Sequence, residues 1–288
     1  MRNLVAVSVL LIFLWSCQTK NANQNSESEA STFSLTELWK TDNIMKTPES
    51  VLFDPQRNVL YVANMNKVDE GYEKGFISKL ALDGTVIDLH WITGLHEPRG
   101  MGIYENRLFA TDNTRLIVID LEKEELVETI PVEGSVFLND LAISKEGTVY
   151  FSDSRGSKVQ TYKDGRIRDW FEEYYDPNGL SDQGEDMLIC ATSVGEVRRV
   201  NKETGEHEVL ATGIGGDGIE FTGYEGYYIV SEWSGKIHII GKDTVQTILN
   251  TEEQKINSAD FGYDPIKKIV YVPTFYDNRV VAYELKMK

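Results

Sequence analysis

Sulfur and imidazole are scarce in this chain, whose 288 residues hold two cysteines and four histidines. Cys17 closes an N-terminal apolar run, so Cys190 in the MLICAT stretch has no partner and a disulfide framework is excluded. Cys190 therefore reads as a buried, inert thiol. His90, His207 and His238 fall on strand or outer-turn positions and offer no dyad. The sequence contains no His/Cys cluster and no Gly-x-Ser-x-Gly elbow. Basic clusters are missing as well. Acidic residues outnumber basic ones 46 to 29, a formal net charge of −17, and such a surface repels nucleic acid and anionic lipid head groups. The apolar run Leu4 to Trp15 is too short for a membrane span.

That run does fit a leader. Residues 1–17 carry Arg2, the apolar stretch and a small residue before Cys17, which is the pattern of a secretory signal. Leu14-Trp15-Ser16-Cys17 resembles the lipobox of a bacterial lipoprotein, with Cys17 as the lipidated residue and Trp15 bulky for its place. Ordinary secretion with cleavage nearby is the plainer alternative. Residues 18–32 are polar, lack aromatics until the next segment, and read as a disordered tether. The expected protein is exported and lipid-anchored to the cell envelope, in the periplasm or at the outer membrane. It would meet the membrane only through that anchor, bind a small-molecule substrate but no nucleic acid, and be a monomer.

From residue 33 onward the chain repeats itself. FLNDLAISKEGTVYFSDS (Phe137 to Ser154) reads as two strands joined by a Gly-containing turn. Five more stretches share its pattern, opening at Glu49, Arg99, Asn178, Asp217 and Asn257; with Asn139 the openings lie 50, 40, 39, 39 and 40 residues apart. A period of about 40 with four strand-sized runs is the signature of a β-propeller blade. The predicted fold is all-β, a six-bladed β-propeller over residues 33–288. The last repeat is one strand short, and Phe33–Thr41 precedes the first, so this N-terminal strand is expected to complete the last blade and close the ring. The long first interval reflects an insertion, Asn64 to Phe76, which reads either as a lid or as a solvated acidic loop.

In such a ring the starts of the innermost strands and the ends of the second strands meet at one mouth of the central channel. The starts are Glu49, Arg99, Asn139, Asn178, Asp217 and Asn257, each followed by a small or short residue; the ends are Asn64, Asp112, Asp153, Thr192, Glu232 and Thr274. Two carboxylates and three amides at one register suit a hard divalent cation such as Ca²⁺ or Mg²⁺. Asn-Gly, Asp-Gly and Asn-Asp are also ordinary turn formers, so each position alone is better explained by backbone conformation, and only the six polar openings together point to a metal site.

TPESVLFDP (Thr47–Pro55), FLNDLAISKEGTVYFSDS, PNGL (Pro177–Leu180) and GGDGIEF (Gly215–Phe221) resemble, in order, the motifs of the gluconolactonase/regucalcin (senescence marker protein) family, over residues 46–288. The resemblance implies a six-bladed propeller with one divalent cation at the channel mouth assisting lactone hydrolysis. It also implies Glu49, Asn139, Asn178 and Asp217 as ligands. Ca²⁺ is the first expectation, with Mg²⁺, Mn²⁺ or Zn²⁺ as alternatives. The family holds its substrate with an Arg two residues before the third-blade Asn; here that residue is Phe137, which makes a sugar lactone a less secure substrate.

Arg99 is the candidate to replace that Arg, or else a salt-bridge partner for the carboxylates at the mouth. Asn257, Asp153 and Glu232 are further candidates for substrate contact. In a lactonase the proton of the attacking water would pass to Asp217 or Glu49, or to Asp153 or Glu232 behind them. His96, beside the same turn, and Trp233, as an apolar wall, are weaker candidates. The competing expectation, from another class, is a propeller that binds a ligand or protein around a structural cation without turnover.

Overall fold

The computed structural model describes residues 32–67, 74–172, 176–241 and 244–288. The leader, the tether and Cys17 lie outside the described residues, as does the centre of the Asn64 to Phe76 insertion. Thr32–Lys288 forms one compact unit of six four-stranded antiparallel sheets.

Each sheet is a blade, laid down in chain order from the channel outwards. Blade one runs Pro48–Asp54, Val59–Asn64, Gly75–Ala81 and Val86–Leu95. The innermost strands of the next four blades are Pro98–Tyr104, Leu138–Ile143, Pro177–Gln183 and Gly216–Phe221. Burial explains the residue choice. The second strand, VLYVAN in blade one, is covered on both faces by neighbouring blades and is buried throughout. The outermost strand of blade two, ELVETIP, is exposed nearly throughout, and its sequence is correspondingly charged.

Ring closure takes the predicted form. Phe33–Lys40 pairs antiparallel with Val280–Met287 as the outer strand of blade six. This strand also grips both neighbours. Trp39 Nε1 donates to Leu82 O of blade one at 3.0 Å. The Phe33 backbone exchanges two 2.9 Å hydrogen bonds with the Gln246 amide of blade five, and its ring packs on Tyr227.

The hydrophobic core is distributed between blades. One cluster joins Tyr61 and Ile77 of blade one to Met101, Leu108 and Ile117 of blade two. Another joins Phe109 and Leu116 of blade two to Leu141 and Phe151 of blade three. Burying each such side chain contributes about 1.5–3 kcal/mol, so a blade is stable only between its neighbours.

One register differs from the expectation. A Cβ on Gly100 would lie 2.5 Å from Asp140 Cα, and one on Gly218 would lie 3.1 Å from Asp260 Cα. Asp260 is thus the blade-six counterpart of Asp140, and the sixth opening residue is Ala259 rather than Asn257. The innermost strand there narrows to Gly262–Asp264, preceded by a single parallel bridge from Asp260 to Ser50. The same distances account for the small residues after the openings. Adjacent inner strands touch, and a side chain at Gly100, Gly179 or Gly218 would enter the next strand.

Candidate functional site

The opening residues meet at one mouth, linked in a partial ring of hydrogen bonds. Asn139 Nδ2 donates to Ser154 Oγ at 3.3 Å, and Ser154 Oγ donates to Pro177 O at 2.7 Å. Next along the chain, Asn178 Nδ2 donates to Asp217 Oδ1 at 2.7 Å. Glu49 is near enough to Asp217 for their charges to interact. Burial pushes its carboxyl well above the usual range, the Asp217 charge adds to that, and Arg99 opposes it. Asp217 itself is raised to about 6 by burial, against the pull of Asn178.

Two acceptors in this ring have no donor. Glu49 Oε2 and Asn178 Oδ1 are buried without a hydrogen-bond partner among the described residues. Orphaned buried oxygens are costly unless something electropositive meets them. Glu49, Asn139, Asn178 and Asp217 offer only oxygen ligands, so the set fits a hard divalent cation. Two of the four are amides, and among the described residues no group of three or more His, Cys, Asp or Glu side chains forms a metal-holding cluster. A cation here would rely on amide oxygens and water as well as carboxylates.

Other candidates are placed elsewhere. Arg99 is 1 % exposed. Its guanidinium donates to Glu97 Oε2 at 2.6 Å and to Leu138 O at 3.1 Å, leaving it as an internal clamp rather than a substrate contact. Asp153 is fully buried. It accepts the backbone N–H groups of Val136, Phe137 and Gly156, so it holds the loop into blade three and is not available to substrate. Asp112 does the same for His96 and Glu97 of blade two. Glu232 accepts from Ser234 Oγ at 2.6 Å and faces His238 Nε2 at 3.3 Å, a packing role at the end of its strand. Asn257 Nδ2 donates to Trp233 O, outside the ring of opening residues. Trp233 is 45 % exposed and packs edge-on against Phe275 and Tyr276, an aromatic group on the blade five and six side of the mouth. Cys190 is fully buried, and burial pushes its thiol well up.

Sequence reasoning missed two features. Below the mouth the channel holds Asp140, Glu220 and Asp260. Burial raises Asp140 to about 8, against backbone N–H donors from Leu180 and Leu141, and raises Glu220 to about 7. Asp260 is pushed well up by burial and by the acids around it. Their signal was an acid at positions where other repeats carry Ser, Gly or an apolar residue. The second feature is Arg155, which is exposed, with its guanidinium 4.5 Å from the Phe137 ring. Arg99 lies against that ring too, at 4.0 Å, so Phe137 is stacked between two cations.

With this geometry in place, known proteins can be set beside it. No family model matches the sequence, and no curated protein matches it. Solved propellers do. A catalytically inactive virginiamycin B lyase from Staphylococcus aureus, with quinupristin, superposes at a TM-score of 0.63 and 11 % identity, covering 88 % of this chain and 99 % of that one. A streptogramin B lyase superposes at 0.65 and 13 % identity, over 89 % and 98 %. The likeness is one of fold. It places the chain among six-bladed β-propellers, and the chemistry must be argued from the side chains.

Proposed function

We propose that the chain is a divalent-cation-dependent hydrolase of lactones or similar cyclic esters, acting at the mouth formed by Glu49, Asn139, Asn178 and Asp217. The reading is carried by the two orphaned acceptors, Glu49 Oε2 and Asn178 Oδ1, beside the Asn178–Asp217 and Asn139–Ser154 hydrogen bonds. A bound divalent cation would supply Lewis acidity to the ester carbonyl and acidify water.

The chain's own residues do the rest. Asn139 and Asn178 orient neutral oxygens without adding charge, and Asn178 fixes Asp217 through Nδ2. Asp153 and Glu232 are committed to loop and strand ends, so the water's proton passes to Glu49 or Asp217. Arg155, not Arg99, takes the anion-holding role, since it alone of the two is exposed beside Phe137. The Trp233–Tyr276 edge suits an apolar substituent better than a sugar. The protein acts on the cell envelope, tethered through Cys17. Recovery of Cys17→Ser in the soluble rather than the membrane fraction tests that placement.

A panel of lactones tests the activity. Acid release that EDTA abolishes and Ca²⁺ restores supports it, with solvent ¹⁸O entering the new carboxylate. Two other results discriminate. Ring opening that leaves a double bond and takes up no solvent oxygen would make the protein a lyase, as the named neighbours are. No turnover, with a melting temperature that still rises with Ca²⁺, would make it a binding propeller, the reading favoured by Phe137 in place of the family Arg.

A further inference from the structure

A second cleft lies away from that mouth. It lies at the opposite end of the channel, where the turns between first and second strands gather, and its volume is about 620 Å³. That falls within the roughly 300–1,000 Å³ range of small-molecule sites. Its walls include Phe53, Phe221, Tyr263 and Ile266, and its charged groups include Glu220 and Lys267. A smaller cavity of about 110 Å³ shares Phe53, Tyr263 and Glu220 and reaches Asp140 and Asp260. The cleft therefore narrows from an aromatic rim to an acidic interior.

We propose that this lower cleft binds an organic cation, a primary or substituted ammonium carried on an aromatic or aliphatic body. The apolar body would lie against Phe53, Phe221 and Ile266, which is 87 % exposed, and the ammonium would meet Glu220 at the floor. Among the described residues Glu220 has no basic ion-pair partner: Ser181 Oγ is 3.3 Å from its Oε2, and Phe221 supplies a backbone N–H. The other nearby acids are occupied. Asp182 is paired with Lys202, and Asp264 Oδ1 accepts the N–H groups of Ile266 and Lys267. Lys267 sits at the exposed rim and leaves the floor acidic. Asp140 and Asp260 continue the carboxyl lining inwards. The aromatic faces of the rim favour a desolvated ammonium.

Calorimetric titration of the full-length protein with phenethylammonium and with its neutral counterpart 2-phenylethanol tests the site. The cation should bind about tenfold tighter than the alcohol. Glu220→Gln should remove that preference, and Phe221→Ala should weaken both ligands roughly threefold. Asp217→Asn, at the other mouth, should change neither. Equal binding of the two ligands, absence of binding, or a preference that survives in a normally melting Glu220→Gln protein would overturn the proposal. Should Glu220→Gln fail to fold, unchanged binding by the exposed-site variant Phe221→Ala overturns it instead. Loss of amine binding in Asp217→Asn would also do so, by moving the amine to the upper mouth.

Discussion

The two ends of the channel are built from the same six strands and differ in what those strands carry. At the upper mouth four of the six opening residues are amides or carboxylates, and Glu49 Oε2 and Asn178 Oδ1 have no donor among the described residues. Towards the lower end the strands carry Phe53, Phe221 and Tyr263, which line a cleft of about 620 Å³. A repeat of about 40 residues thus fixes where a position lies, while the residue chosen there fixes what it does. One end offers a close set of oxygen atoms suited to the proposed ion, and the other offers an open apolar cleft.

The comparison can be broken most severely at the upper mouth. Asp217→Ala should lower kcat by about 10²–10⁴-fold and abolish Ca²⁺ retention measured by metal analysis, while the lower cleft keeps its ligand. Retained metal would remove Asp217 from the site. Phe33→Ala strikes both ends equally, because it loosens the strand that closes the ring; a loss of about 3–5 kcal/mol in denaturant unfolding is expected.

Proton linkage separates the ends more finely. The carboxyls of Asp217, Glu220 and Asp140 stand at about 6, 7 and 8 in the folded chain, each above its unfolded value. The folded state then holds protons that the unfolded state has released. Their stabilisation is complete below about pH 4 and is lost as pH climbs through 6, 7 and 8. The melting temperature without added metal should therefore fall between pH 5 and 8.5. Saturating Ca²⁺ should flatten the part due to the upper mouth and leave the part due to Glu220. A flat profile in EDTA would contradict the burial of these acids. The smallest effect is expected for Arg155→Ala: KM for anionic lactones up roughly threefold, with an unchanged melting temperature.

How far the sequence reached differs between fold and site. The blades were legible because each repeat states its own hairpin, as in Ser144 to Thr148 with Gly147 at φ +77°. The closing strand was legible because the last repeat came up one run short. The sixth opening was misplaced because NSADF mimics NDLAI two residues early, and only contact between neighbouring inner strands sets that register. The burial of Arg99 was not legible for a similar reason. Its acceptor Leu138 O belongs to the next blade, 39 residues away. Asp153 looked like a substrate contact or proton acceptor because a carboxylate that binds three backbone amides has the same letter as one that faces the channel.

The closing strand has a consequence for biogenesis. Residues 33–40 are synthesised well before their partner, Val280–Met287, which lies at the other end of the propeller sequence. Until then the nascent chain carries an unmatched edge, and contacts of such long sequence separation form slowly. Clipping either terminus removes the same seam, so a chain cut short at its tail should be as recognisable to quality-control proteases as one trimmed at its head.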